Sequence, residues 1–236
     1  MHEKRSRSMS GNSKGLAGLT ALVTSGPTFE PIDPVRYIGN RSSGKQGFAI
    51  AAELARQGAS VTVVTGPTTE PPPADCCVVR VETAQQLLDS CKAVGAVDIA
   101  VCVAAVADYR VDHAADRKIR KEDTGAVTLH LIQNPDTLKW VGWEMTPRPK
   151  LVVGFAGETE KVLERATAKR VSKGCDWILG NDVSPAAGAF GAEDNTIIFV
   201  SEAGPETWPR MSKVEIARKL VDRAAAHCNS LETQPV

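Results

Sequence analysis

The segment GPTFEPIDPVRYIGNRSSGKQG, from Gly26 to Gly47, carries the residue types of an anion site. Gly39, Gly44 and Gly47 stand among Asn40, Arg41, Ser42, Ser43 and Lys45, just after the apolar run Leu19–Val23. That run reads as a buried strand, and the small and polar residues beyond it open a helix whose first N–H groups are unpaired and face any phosphate. Glycines and hydroxyls at a helix start let backbone and Oγ atoms approach an anion that a Cβ would obstruct. The spacing fits neither common phosphate motif. Gln46 follows Gly44-Lys45 where a Walker loop needs Ser or Thr for Mg²⁺. Gly26, Gly39, Gly44 and Gly47 are also too scattered for GxGxxG. A loop whose glycines only turn the chain is the competing reading.

Two further groups of residues could serve charge chemistry. Lys118-Ile119-Arg120-Lys121 is a basic run that suits stabilisation of a leaving pyrophosphate, or else forms a solvated surface. Lys169 and Lys173 lie one helical turn apart and share a face, able to reach a polyphosphate or simply to be wet. The histidines at 2, 113, 130 and 227 are isolated from one another, and none sits beside a Ser or Cys in a nucleophile-like setting. The cysteines at 76, 77, 91, 102, 175 and 228 lack CxxC spacing, so neither a zinc site nor a disulfide framework is indicated. Cys102 reads as core, and Cys76-Cys77 as loop or strand edge. The cysteine pattern suits a reducing, cytoplasmic setting.

These residues need a scaffold, and the chain has the length for one α/β domain with an excursion. It has 236 residues with 28 basic and 28 acidic side chains, so no net field draws it to nucleic acid or an acidic membrane. No apolar stretch is long enough to span a bilayer. Residues 1–17 read as a disordered leader or linker stub, 18–228 as the working domain and 229–236 as a flexible tail. Strands are predicted at Ser60–Val64, Ile99–Val103, Leu151–Gly154, Trp177–Leu179 and Thr196–Val200. Helices are predicted at Ser42–Gln57, Thr83–Val94, Pro135–Glu144, Thr159–Lys173 and Ser212–Ala226, the last with a Ser212/Glu215 capping box. Alternation of this kind gives a Rossmann-like, mainly parallel sheet flanked by helices. A charged excursion around 109–133, with Val127–Leu131 alternating like an exposed strand, interrupts it as a flap or dimerisation element, and Ser184–Gly191 reads as a mobile loop.

In a parallel sheet the loops after the strands converge on one crevice. Here those loops hold Gly26, Thr28, Glu30 and the run Arg36 to Gly47, then Ala104, Ala105 and Asp108, then Phe155, Gly157 and Glu158, then Asn181 and Asp182. Taken singly, Glu158 and Asn181-Asp182 could be turn and cap groups.

Together with AAVADYR (104–110), KIRK (118–121), NPDTL (134–138), GFAGET (154–159) and Gly180-Asn181-Asp182, the opening segment resembles the phosphopantothenate-cysteine ligase family. Six motifs occur in order from about Leu19 to Ala226. The resemblance implies a cytoplasmic homodimer that joins 4′-phosphopantothenate to L-cysteine in coenzyme A biosynthesis. It implies CTP as activating nucleotide, Mg²⁺ with its phosphates, and an acyl-cytidylate intermediate. It implies Asn40 and Lys118 as catalytic residues, and Arg36, Asn40, Ala104 and Ala105 as substrate contacts, Arg36 across the subunit boundary. Nucleotide contacts are implied at Gly26, Ser42, Gly44, Gly47, Cys102, Val103, Ala104, Asp108, Lys118, Pro135, Asp136, Thr137, Leu138, Phe155, Lys169 and Lys173. No protein ligand for the metal is implied. A flavin-dependent decarboxylase is a fused or separate partner in such systems, and the polar leader fits either a boundary in a longer chain or a standalone start. Departures from the family pattern include Arg120 in the flap, Thr137 for an aliphatic, Gly157 for Ala and Gln46 for Met. Two rival readings are a nicotinamide-dependent reductase and a non-catalytic nucleotide-binding relative. The first lacks an acidic residue near Val63-Val64-Thr65-Gly66 to hold a ribose hydroxyl.

Overall fold

The computed structural model describes residues 15–121, 125–185 and 193–232. Eight strands form one twisted sheet: β1 (Thr20–Ser25), β4 (Ser60–Thr65), β5 (Cys76–Arg80), β6 (Ile99–Cys102), β9 (Leu151–Glu158), β10 (Trp177–Asp182), β11 (Asp194–Ser201) and β12 (Gly204–Ser212). Their spatial order is β12-β11-β10-β9-β6-β1-β4-β5, parallel from β5 to β10 and antiparallel at β11 and β12. The chain winds outward from β1 through β4 to β5, then returns to the other side of β1 with β6. That reversal is the switch point where open α/β sheets bind ligands.

The central strands are apolar throughout because both faces are covered. Ala21, Val23, Val61, Val63, Leu151, Val153 and Leu179 face a core that also takes Phe48, Ile50 and Leu54 of α1 (Lys45–Arg56) and Ile216 and Leu220 of α5 (Lys213–Glu232). Alternate residues Leu22, Val64, Val152 and Ile178 face the opposite core, with Leu87 of α2 (Ala84–Val94), Val141, and Ala166 of α4 (Val162–Ser172). This period of two gives three layers from one sheet. Between them, α3 (Thr137–Lys139) continues into a π-helical turn over Trp140–Glu144.

Outside the main sheet lie two antiparallel ribbons. One pairs β2 (Phe29–Asp33) with β3 (Arg36–Gly39), and the other pairs β7 (Tyr109–Val111) with β8 (Leu131–Gln133).

Several boundaries differ from the sequence reading. The helix expected from Ser42 starts at Lys45, because Gly44 takes a left-handed φ of 80° and breaks the turn before it. The β2–β3 ribbon lies inside the Pro-rich segment, where the sequence reading places no strand. Asp33 makes its turn by accepting the N–H groups of Val35 and Arg36. The exposed strand predicted at Val127–Leu131 is instead Leu131–Gln133, since its partner β7 has only three residues. The helix expected from Thr159 starts at Val162, because β9 runs on to Glu158 beside Asp182 of β10. Cys76-Cys77 belong to edge strand β5, and β12 holds Pro205 and Pro209, tolerable because it too is an edge. Leu16 is fully buried and donates its N–H to Gln57 O, so the core reaches two residues into the expected leader. The Ser212/Glu215 capping box is present, reciprocal at 3.2 and 2.8 Å, and its helix extends to Glu232. Of the loop expected at Ser184–Gly191, residues 186–191 lie outside the described residues, as do 122–124 of the excursion.

Candidate active site

The loops after β1, β6 and β9 border a crevice of about 1190 Å³ at the switch point. Its central feature is the first turn of α1. Ser25, last residue of β1, donates its hydroxyl to Gly44 O at 3.0 Å. A Cβ at Gly47 would lie 2.4 Å from Ser25 Oγ, so only glycine lets the helix start rest against the strand end. No side chain caps α1. Ser42 and Ser43 hydroxyls stand 3.4 Å from the N–H groups of Gly44 and Lys45, at the long limit of bonding. Thr68 Oγ1 donates to Ser43 O at 2.6 Å and pins the loop from outside. Loosely engaged N–H groups and the positive helix end suit a phosphate.

The facing wall is a shelf of peptide groups after β6. Ala104 N donates to Thr24 Oγ1 at 3.2 Å, Ala105 N to Gly26 O at 2.8 Å and Ala107 N to Thr28 Oγ1 at 3.0 Å. Asn40 donates its amide to Val106 O at 2.8 Å, which leaves one of its two amide hydrogens to another acceptor. Asn134 holds the far end, donating Nδ2 to Ala107 O and its own N–H to Asp108 O. The buried Glu30 carboxylate accepts the N–H of Ala84 at the start of α2, a favourable place for an anion.

The third wall is charged. Asp136 caps α3 by accepting Lys139 N and pairs with Lys173. Burial pushes the Asp136 carboxyl up, but the Lys173 hydrogen bond, the Lys139 N–H and the charges of Lys173 and Lys169 outweigh it and hold it below the usual range. Burial drives the Cys102 thiol well above its ordinary value and pushes Cys91 and Cys175 up to about 12. These thiols stay protonated at neutral pH and offer no nucleophile.

The crevice therefore brings together most of the residues singled out in the sequence. Gly26, Ser42, Gly44 and Gly47 line it with Asn40. So do Cys102, Val103, Ala104, Ala105 and Asp108, and on the third wall Pro135, Asp136, Thr137, Leu138, Phe155, Lys169 and Lys173. Arg36 and Lys118 are not on the wall. The Arg36 guanidinium pairs with buried Asp33 and donates to Ile119 O at 2.7 Å, while Ile119 N donates to Asp33 Oδ2 at 3.1 Å. Ala115 N adds a bond to Ile32 O. The basic run is thus an arm fastened to the β2–β3 turn, with Lys118 exposed beside the fastening. The Arg36 hydrogen bond holds the Asp33 carboxyl far below the ordinary range, helped by the N–H groups of Val35 and Ile119 against the opposing effect of burial.

Sequence reasoning missed other wall residues. Thr24 and Ser25 end an apolar strand, and nothing in their spacing marks the bonds they make. Asn195 and Lys213 reach the crevice from β11 and α5. Their place depends on strand β12, whose two prolines hide it. Burial lowers the Lys213 ammonium from its usual value, opposed by the charges of Glu193 and Glu70.

Residues 16–227 match the family model described as the DNA/pantothenate metabolism flavoprotein C-terminal domain. The chain is 42% identical over 210 residues to the coenzyme A biosynthesis bifunctional protein CoaBC of Escherichia coli strain K12, covering 88% of this chain and 52% of that protein. It is 42% identical over 218 residues to the protein of that name from Mycobacterium bovis, with the same two coverages. The chain thus spans about half the length of these curated relatives. The crystal structure of the C-terminal domain of a CoaBC protein superposes with a TM-score of 0.77 at 34% identity, covering 92% of this chain and all of that one. Fold, switch-point crevice and sequence agree, and the chain belongs to the DNA/pantothenate metabolism flavoprotein C-terminal domain family.

Proposed function

We propose that this crevice joins 4′-phosphopantothenate to L-cysteine, using CTP to activate the carboxylate, as a step of coenzyme A biosynthesis. The observation that carries the reading is the convergence of motif residues from five separate segments on one switch-point crevice. Membership in a family described by pantothenate metabolism, and 42% identity to proteins named for coenzyme A biosynthesis, support it.

In the first half-reaction a carboxylate oxygen of phosphopantothenate attacks the α-phosphorus of CTP and diphosphate leaves. The start of α1, with Ser42, Gly44 and Gly47, receives the phosphates, while Asp136 to Leu138, Phe155, Lys169 and Lys173 surround the nucleoside. Lys118 on the fastened arm offsets the negative charge that builds on the phosphoryl oxygens. In the second half-reaction the cysteine amine attacks the acyl carbon, CMP leaves, and the ammonium proton passes to solvent. Asn40, its amide plane fixed by Val106 O, holds the acyl carbonyl. Mg²⁺ would neutralise phosphate charge. Among the described residues no three His, Cys, Asp or Glu gather to cage a metal, so nucleotide and water supply its ligands in this reading.

A second copy of the chain completes the reading. Val35, Tyr37, Tyr109 and Leu131 are exposed on the two ribbons, and pairing there would bring Arg36 toward a neighbour's phosphopantothenate. No described helix is long and apolar enough to cross a membrane.

The test is to incubate purified protein with CTP, Mg²⁺, phosphopantothenate and cysteine and to measure diphosphate, CMP and the amide product. Absence of any cysteine-dependent product would refute the reading. ATP in place of CTP tests the choice of base.

A further inference from the structure

Joining cysteine to an acyl carbon takes two protons from its ammonium. One passes to solvent before the attack, and the other becomes acidic only as the N–C bond forms. A base held within hydrogen-bond reach of that nitrogen speeds the second transfer. Among the described residues three carboxylates line the crevice, those of Asp108, Asp136 and Glu158. Asp136 is committed to the cap of α3 and to Lys173. Asp108 belongs to the proposed nucleotide contacts. Glu158, at the end of β9, is the carboxylate that neither half-reaction has used.

Its surroundings suit a base. Glu158 lies in register with Asp182 of β10, and its O accepts the N–H of Val183 at 2.9 Å, so a sheet strand fixes the backbone beneath the side chain. Arg165 of α4 donates to Glu158 Oε2 at 3.2 Å and to Glu160 at 2.6 Å. This fork orients the carboxylate and leaves Oε1 with no donor among the described residues. Oε1 is not enclosed, and the side chain keeps 22% of its surface open. Gly157 beside it is exposed and carries no side chain, and a Cβ there would stand 3.1 Å from Val183 Cγ1. The floor next to the carboxylate is therefore open to a small amino acid. Stability gives little reason for the Glu158–Arg165 pair, since both partners meet water. We propose that Glu158 is the general base of the second half-reaction. The neutral amine donates an N–H to Oε1 while its lone pair forms the bond to the acyl carbon. Oε1 then takes one proton from the cationic nitrogen of the adduct, the acyl–oxygen bond breaks, and CMP leaves with that electron pair. Glu158 returns the proton to solvent. The assignment rests on the proposed ligation.

The experiment loads the whole chain with phosphopantothenate, CTP and Mg²⁺ and compares two acceptors in the wild type, Glu158→Gln and Glu158→Asp. L-cysteine needs a base, whereas hydroxylamine is largely unprotonated at neutral pH and yields its proton readily to water. Diphosphate release reports the first half-reaction. In Glu158→Gln the cysteine-dependent rate should fall at least about 100-fold. Hydroxamate formation and diphosphate release should stay near the wild-type rates, and Glu158→Asp should recover part of the cysteine reaction. The loss should fall on kcat and not on the KM for CTP. If Glu158→Gln consumes cysteine at the wild-type rate, the assignment is overturned. If hydroxamate formation and diphosphate release fall together with the cysteine reaction, Glu158 supports the fold or the nucleotide site, and the assignment is overturned as well. If the wild type yields no cysteine-dependent product, the ligation reading falls and takes this assignment with it.

Discussion

Asn40 and Lys118 stand on two kinds of support. Asn40 comes directly after β3 and bonds to the shelf after β6, a strand paired on both sides within the main sheet. Lys118 sits on an arm fastened by the Asp33–Arg36 pair, Ile119 and one bond from Ala115. The wall is positioned by apolar packing on both faces of a sheet, the arm by a handful of polar contacts. Packing of the first kind has one well-filled arrangement, whereas a polar fastening can open without unfolding what lies beneath it.

That contrast can be tested by removing each support in turn. Leu22 is fully buried under β1 in the core shared with Leu87 and Val141. Leu22→Ala should cost about 2–5 kcal/mol, lowering the urea midpoint with little change in slope. A loss under about 1 kcal/mol would mean that this core can collapse around the gap. Next come the two catalytic proposals. Asn40→Asp should slow the second half-reaction about 100- to 1000-fold while acyl-cytidylate accumulates, and Lys118→Gln should block its formation. Equal loss of both half-reactions in Asn40→Asp would remove its separate role.

Asp33→Asn addresses the fastening itself. It should lower kcat/KM about 100-fold through misplacement of the arm, make the basic run susceptible to trypsin, and lower the urea midpoint less than Leu22→Ala does. A variant as resistant to trypsin as the wild type would show that other contacts hold the arm. The fastening also has a predictable pH window. Asp33 is held below its unfolded value, so its contribution is fully present above about pH 4 and is lost as pH falls through the lowered folded value. An acid-active protease in place of trypsin should therefore find the arm closed at about pH 5 and open only in strong acid. The smallest effect belongs to Ser212→Ala, which removes one half of the α5 capping box. About 1 kcal/mol of stability should go, read as a lower Tm, with ligation unchanged in the folded protein.

The same division decides what the sequence discloses. Apolar runs and helical periods announce the sheet because they report burial, and the strand order then sends Gly26, Ala104, Asp108 and Phe155 to one crevice. The capping box at Ser212 is readable because it is a local bond. The β2–β3 ribbon does not emerge from such signals, and of the second ribbon only an exposed strand near Leu131 does, with its bounds displaced and its partner β7 unread. Asp33 and Arg36 look like ordinary turn residues until the chain returns at Ile119, 83 residues beyond Arg36. Nor does any pattern bring Lys213 to Gln46, since that contact spans 167 residues and passes through an edge strand masked by prolines.

The placement of β1 at the middle of the sheet has a consequence during synthesis. Ala21 pairs with Val61 on one edge and with Ile99 on the other. At common translation rates the second partner emerges about 2–8 s after the first. For that interval this buried, apolar strand offers a bare edge to any other nascent or misfolded chain. The central position that gives the crevice its floor also makes β1 a segment that gains from shielding by a chaperone as the chain leaves the ribosome.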